Sequence, residues 1–413
     1  MPADAVRFRV ADPALAETLR FAGTELVEER PDVEIGADVR GDAACAVVVI
    51  ADIRPEGGRR LVRAAVRAAR SLRTRLRAGA AQRRLRASGY PRVTKLLWAL
   101  DRPLPLPGLP AAEPPTLPVW ALVVGRRGGG PTMLEAAAEQ AGVELAQRPT
   151  VRQGVVVALT EARVLRVALG PAERQVEEQC AVLERLGGKL LSPRLLGDGR
   201  AGLARWTLEE RLPGSRPAAL TDALRARCVD YLVELFRLGP DGDWDIGQRA
   251  AVVASAAPGH ASELRELGER LRASLASAPR GFGHGDFWSE NLLVDGERLT
   301  GIVDWDYGGG GRLPALDLLH LLVNEERRRR RIGIGRAMVD ELFADSVDAD
   351  MRDYCARLDV DPGLLGDLGL AYWLDYVARQ LELYADRAAR PVWMRENVTA
   401  VLGAAPARRR SGG

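Results

Sequence analysis

At 413 residues the chain is longer than one ordinary core organises, so two or three domains are expected. A hydrophobic fraction of 47% with 28% charged residues excludes a disordered chain, and a formal net charge of +3 gives no footing for a nucleic-acid or membrane partner. All but two of the 59 basic residues are arginine, the exceptions being Lys95 and Lys189, so a phosphate-binding cation here is expected to be an arginine.

Cys45, Cys180, Cys228 and Cys355 stand far apart with no C-x-x-C, and only His260, His284 and His320 could join them, so neither a zinc cluster nor a disulfide framework is expected. The N-terminus has no apolar signal core, and the longest apolar run, "AACAVVVIA" (43–51), is too short to span a bilayer. A soluble cytoplasmic protein is the expectation.

In chain order, "CAVVVIAD" (45–52) reads as a buried strand, and residues 57–90 read as a long helix with arginines on every side. That helix is expected to be solvated or partner-facing, since no aromatic residues interleave its charges. Strand then helix suggests an accessory α/β domain over 1–118, closing in a proline-rich linker, "DRPLPLPGLPAAEPPTLP" (101–118). "PVWALVVG" (118–125) reads as another strand and "GRRGGGP" (125–131) as a turn. Short strands follow in "GVELAQRPTV" (142–151), "GVVVALT" (154–160) and "RVLRVALG" (163–170). A helix, "AERQVEEQCAVLERL" (172–186), and a strand, "ARWTLEERLPG" (204–214), complete a β-rich unit over 119–213 with its core at 143–213. Helical periodicity dominates 214–413, and Leu370, Leu374, Val377, Leu381 and Tyr384 form one apolar stripe of a late helix.

One segment concentrates chemistry: "GFGHGDFWSENLLVDGERLTGIVDWDYGGGG" (281–311). Apolar runs on either side of Asp295-Gly296 signal a hairpin, which brings Asn291 near Asp304 with Asp286 in the loop just upstream. Two carboxylates and an amide oxygen at one hairpin mouth suit Mg²⁺, and Asp286 is then free to accept a proton from a hydroxyl. Positioning, charge neutralisation and a base are what phosphoryl transfer needs. A lone H-G-D is more often a turn; Asn291 five positions later and the downstream D-W-D are what favour a site. Asp306 is either a further metal-facing acid or a turn residue. The glycines of "GFGHG" and "GIGIG" lack the strand-to-helix context of a nucleotide fingerprint, and Arg327 to Arg331 read as a solvated helix end.

His284-Gly285-Asp286, Asn291 and Asp304-Trp305-Asp306 resemble the motifs of the aminoglycoside phosphotransferase and choline kinase-like enzymes, small-molecule kinases with a protein-kinase-like fold. The resemblance covers about 143–400. It implies an α+β bilobal fold, a small β-rich N-lobe and a large helical C-lobe, here preceded by the extra α/β domain. It implies Asp286 as catalytic base, His284 as the residue orienting the catalytic loop, Asn291 and Asp304 as Mg²⁺ ligands, and Asp317 as structural support beneath the loop. Upstream it implies Arg166 for the ATP phosphates, with Glu178 as its helix partner. Glu177 is an alternative, and the cleanest register falls on Gln179. Gly154 would belong to the phosphate-covering loop, and backbone near Glu209, Glu210 and Arg211 would bind adenine. ATP or GTP with Mg²⁺ and a small hydroxyl acceptor are the implied partners.

Asp375, Glu382 and Tyr376 on the late helix are candidate acceptor contacts that would suit a cationic molecule, and are equally ordinary on a solvated face. A pseudokinase-like scaffold that binds nucleotide without efficient transfer is the competing reading. No Walker A or G-x-S-x-G pattern supports a P-loop kinase or a serine hydrolase.

Overall fold

The computed structural model describes residues 8–10, 33–36, 45–51, 79–81, 83–84, 86–87, 92–100, 119–126, 133–145, 150–152, 155–168, 172–201, 204–342, 348–383, 387–388 and 390–404. The chain divides into two compact units, Met1–Val176 with Leu196–Arg211, and Glu177–Leu195 with Leu212–Gly413.

The first unit holds two sheets. Strands β1 (Phe8–Val10), β2 (Val33–Gly36), β3 (Cys45–Ala51), β4 (Arg92–Leu100) and β5 (Val119–Arg126) order as β1-β2-β3-β5-β4. The first three run parallel, and β5 is antiparallel to both β3 and β4. Strand β5, which follows the expected boundary at 118/119, pairs with β3 and β4 of the N-terminal sheet, and the proline-rich stretch 101–118 lies outside the described residues. Of the helix expected over 57–90, residues 79–81, 83–84 and 86–87 are helical and the rest lies outside the described residues.

The second sheet is antiparallel, with β6 (Thr150–Arg152), β7 (Val155–Leu159), β8 (Arg163–Ala168), β9 (Leu195–Ala201) and β10 (Ala204–Glu210) in the order β6-β7-β8-β10-β9. Leu165, Val167, Ala201, Ala204, Trp206 and Leu208 bury one face of it. Helix α1 (Met133–Gln140) covers that face through Ala137 and Ala138, and Trp206 Nε1 donates to Gln140 Oε1 at 2.8 Å. Of the strand expected over 142–151, residues 142–145 are not strand, 146–149 lie outside the described residues, and Thr150 opens β6. The run MLEAAAEQ before it consists of strong helix formers.

Helix α2 (Ala172–Leu186) passes from one unit to the other. Val182, Leu183 and Leu186 join the large core of the second unit, so the helix expected wholly within the β-rich unit belongs from Glu177 onward to the helical one. There follow α3 (Asp222–Phe236), capped by Thr221, α4 (Ile246–Ala256), capped by Asp245, and α5 (Ala261–Ser274). Strand β11 (Gly281–Gly283) pairs antiparallel with β14 (Gly309–Arg312), and β12 (Leu292–Asp295) with β13 (Arg298–Ile302), as the expected hairpin. Helices α6 (Leu316–Arg330), α7 (Ile334–Leu342), α8 (Ala349–Arg357), α9 (Leu365–Leu383), α10 (Pro391–Met394) and α11 (Ala400–Ala404) complete the described unit. Arg328 to Arg331 are exposed at the end of α6, where cations complement the helix dipole. Leu370, Leu374, Val377 and Leu381 are buried as the stripe required, while Tyr384 lies outside the described residues.

Candidate active site

The 281–311 segment builds its site from backbone contacts outward. The β12–β13 hairpin closes so that Val303 N–H donates to Asn291 O at 3.0 Å, which sets Asn291 beside the residue preceding Asp304. Upstream, the chain turns sharply at Gly285, whose φ of 80° favours glycine. A Cβ there would lie 2.3 Å from Tyr307 O, so the glycine between His284 and Asp286 is required by packing as well as by conformation.

Asp317, in the first turn of α6, holds this turn from below. Its Oδ2 accepts from His284 N at 2.7 Å and its Oδ1 from Gly285 N at 2.8 Å. His284 is fully buried. Its Nδ1 accepts from Asp286 N at 3.2 Å, so Nε2 carries the proton and donates to Val303 O at 3.0 Å. Burial lowers its pKa against the pull of Asp317 and Asp286. A ring committed at both nitrogens ties the loop to the hairpin and has no free lone pair for acid–base work.

Asp286 accepts at both oxygens. Asn291 Nδ2 donates to Oδ2 at 3.0 Å and to the Asp286 carbonyl at 2.8 Å, and His320 Nε2 lies 3.0 Å from Oδ1. Burial alone would raise this carboxyl. The hydrogen bond and charge of His320, with Arg379 and His284, outweigh it and hold the group well below the usual carboxylate range. Asp286 is therefore an oriented carboxylate at neutral pH.

The Asn291 amide nitrogen faces Asp286, which leaves its oxygen on the opposite side of the group. Asp304 adopts a left-handed backbone, φ 62°, a conformation that Asp tolerates better than most residues and that is common at functional turns. Two hard oxygen groups at the open end of the β12–β13 hairpin, one just before β12 and one just after β13, are of the kind Mg²⁺ takes from a protein before phosphates and water complete its shell. Asp306 sits with Tyr307 in the turn that follows, and the indole of Trp305 is fully buried, donating to Ile302 O at 3.0 Å.

The residues expected on the late helix as acceptor contacts differ in their surroundings. Asp375 is 1% exposed. Its Oδ1 meets Trp244 Nε1 at 3.0 Å and Arg249 Nε at 3.2 Å, and its Oδ2 meets Arg312 Nη2 at 3.1 Å and Arg379 Nε at 3.2 Å. Burial opposes its ionisation, yet Arg379, Arg312 and Arg249 lower its pKa to about 2. Such a carboxylate is an internal anchor, engaged at both oxygens. Tyr376 is also buried, its ring 6.0 Å from that of His320. Glu382 is exposed and pairs with Arg249 at 3.0 Å.

In the first unit, Arg166 Nε donates to Glu209 Oε1 at 2.8 Å, an almost buried pair between neighbouring strands β8 and β10. Glu209 thus points a buried side chain at Arg166, Glu210 ends β10, and Arg211 N–H donates to Ala162 O at 2.9 Å beside the β7–β8 turn. Gly154 lies outside the described residues. On α2, Glu177 and Glu178 are exposed and Gln179 is buried.

Three residues at the site carried no motif in the sequence: His320 on α6, and Tyr372 and Arg379 on α9. Tyr372 OH lies 3.1 Å from His320 Nδ1, and Arg379 Nη1 donates to the Gly285 carbonyl. One signal was available for His320, a histidine three positions after Asp317 on the same helical face in a chain with only three.

Residues 152–354 match the family model of the phosphotransferase enzyme family, as the resemblance implied. A comparison with curated proteins gave no match. Among solved structures, aminoglycoside phosphotransferase APH(3'')-Id from Streptomyces rimosus ATCC10970, in complex with ADP and streptomycin, is 18% identical over 58% of this chain and 96% of its own, TM-score 0.41. Choline kinase LicA from Streptococcus pneumoniae is 15% identical over 61% of this chain and 88% of its own, TM-score 0.44. Aminoglycoside phosphotransferase APH(2'')-Ib, ADP-bound, is 14% identical over 66% and 97%, TM-score 0.44. At such scores these likenesses say nothing about nucleotide or acceptor in this chain.

Proposed function

We propose, from the premise that over residues 152–354 this chain belongs to the phosphotransferase enzyme family, that it transfers the γ-phosphate of ATP or GTP to a hydroxyl of a small molecule. The acceptor class is an aminoglycoside, a sugar or an amino alcohol, and the setting is the cytoplasm, where nucleoside triphosphates are held. Among the described residues no helix is long and apolar enough to cross a membrane.

One observation carries the reading: a carboxylate, Asp286, is held ionised on a loop that Asp317, His284 and Asn291 each bond. In this reading Asp286 orients the acceptor hydroxyl. The proton passes from the acceptor oxygen to Oδ2 as that oxygen bonds to the γ-phosphorus and the bond to the nucleoside diphosphate breaks. The low basicity of Asp286 suits a proton transfer late in a loose transition state, where positioning contributes more than base strength. Asn291 and Asp304 would hold Mg²⁺, which neutralises phosphate charge when bound. Arg166 would reach the phosphates, with Glu178 as its helix partner. Gly154 would cover the phosphates, and the backbone of Glu209, Glu210 and Arg211 would meet the base.

A second reading, a nucleotide-binding scaffold without efficient transfer, draws on the engagement of Arg166 by Glu209 within its own sheet. Thermal unfolding with ATP or GTP, with and without Mg²⁺, tests both on wild type and Asp304→Ala. Nucleotide at a hundred times its Kd stabilises by about 2.7 kcal/mol. A Mg²⁺-dependent rise in Tm that Asp304→Ala abolishes, followed by label transfer from γ-labelled nucleotide to a hydroxyl panel, is the kinase result. The rise without any transfer is the scaffold result, and no rise with either nucleotide sinks both.

A further inference from the structure

We propose that His320, held by Tyr372, is the positioning residue for the carboxylate of Asp286. The inference rests on Asp286 being the group that meets the acceptor hydroxyl, and goes beyond it by assigning how that group is aimed. His320 is buried on α6, one turn after Asp317. Its Nε2 stands 3.0 Å from Asp286 Oδ1, and only a protonated nitrogen is stable against a carboxylate at that distance. Its Nδ1 stands 3.1 Å from Tyr372 OH, and burial raises the Tyr372 phenol well above its ordinary pKa, so the hydroxyl keeps a proton to donate. Asn324, one turn further along α6, lies against the same ring, with Nδ2 3.2 Å from Nε2 and 3.4 Å from Nδ1, and donates to the His320 carbonyl at 2.8 Å. Tyr376 adds a ring contact at 6.0 Å. The imidazole is thus fixed in rotation, in tilt and at Nε2.

The consequence for Asp286 is geometric. A carboxylate has about four lone-pair sites. His320 occupies one on Oδ1 and Asn291 one on Oδ2, so the group cannot rotate about its Cβ–Cγ bond. A lone pair of Oδ2 is then presented in a fixed direction for an acceptor O–H. Asp317 and His320 therefore act from one helix on two parts of the loop, Asp317 on its backbone and His320 on its reactive side chain. Loss of the second anchor leaves the loop in place but frees the carboxylate, and misplacement of a reacting group by about 1 Å costs about 100-fold in rate.

The test pairs kinetics with a signature that needs no turnover. His320→Ala is expected to lower kcat about 10- to 100-fold with the nucleotide KM within twofold. His320→Gln, whose amide N–H can reach Oδ1, should recover part of that loss, and Tyr372→Phe should lower kcat severalfold. Equal kcat in wild type and His320→Ala overturns the proposal, as does a Gln variant no better than Ala when both fold with wild-type Tm. Independently, ¹⁵N-labelled histidine spectra are expected to show an Nε2–H signal for His320 that moves in Asp286→Asn, and an Nδ1 signal that moves in Tyr372→Phe. If neither moves, the contacts are absent and the proposal falls. If they move while the wild type transfers phosphate to nothing, the reading of function fails and the anchoring of Asp286 stands.

Discussion

Asp375→Asn is the sharpest separation of an internal anchor from an acceptor contact. In the folded protein three guanidinium groups and the Trp244 indole converge on this carboxylate. The substitution keeps the shape, removes the charge and turns an NH₂ group toward cations. Breaking a buried ion pair costs about 3–5 kcal/mol, because the surviving charges are left without a partner. Arg249, about a quarter exposed and already paired to Glu382, relaxes most easily and places the loss toward the lower end. At roughly 2–4 °C per kcal/mol for a unit of this size, Tm falls by about 10 °C. The pH dependence has a defined sign. The folded pKa of about 2 lies below the ordinary 3.8, so Asp375 contributes stability that is fully present above about pH 4 and is lost as pH falls through about 2. That depression corresponds to about 2 kcal/mol at about 1.4 kcal/mol per pH unit. Thermal unfolding followed by circular dichroism from pH 6 to 2 reads both effects, and the variant should lack this part of the acid limb. An Asp375→Asn protein with wild-type Tm, an unchanged acid limb and a raised acceptor KM would refute the anchor and restore an acceptor contact.

Asp286→Asn is expected to lower kcat by about 10²- to 10⁴-fold and to lower Tm, because the carboxylate that His320 and Arg379 favour is lost, while the nucleotide-induced thermal shift survives; loss of that shift would mean that Asp286 acts on nucleotide binding. Asp317→Ala strips the acceptor from two buried N–H groups, each worth about 1.5–3 kcal/mol when bonded to a charge, so both Tm and kcat fall, as urea unfolding and turnover would show. Gly285→Ala forces a methyl group against Tyr307 O and a side chain into φ 80°, and should abolish turnover before it abolishes folding; an active, fully stable variant would show that the loop reshapes freely.

The legible part of this protein is the part whose partners are close in sequence. His284, Asp286, Asn291 and Asp304 fall within one hairpin and its feeding loop, and an Asp-Gly signal between apolar runs is enough to bring them together. The strand content of 155–168 and 204–210 is equally readable, because short apolar runs bounded by turn residues leave a local pattern. Register across distant segments leaves none. Nothing local in "PVWALVVG" says that it closes the N-terminal sheet beside β3 and β4, since a strand's apolar run is the same whichever neighbour it takes.

The same limit explains Asp375 and His320. Periodicity assigned Leu370, Leu374 and Val377 to a buried stripe, and Asp375 beside them read as the polar face of an amphipathic helix. In the fold α9 is buried on nearly all sides, so a polar residue on it must find charge partners, and it finds arginines from α4, β14 and its own next turn. Those arginines also serve the loop: Arg379 bonds Gly285 O while pairing with Asp375, and its charge acts on Asp286. Arg249 pairs with Asp375 and Glu382, Arg312 with Asp375, and Arg379 with Asp375 while its charge acts on Asp286. Asp375 therefore reaches the Asp286 carboxylate only through Arg379, which pairs with the one and acts by its charge on the other. A substitution at Asp375 should accordingly reach activity through Arg379 and the loop, with kcat falling before the acceptor KM rises.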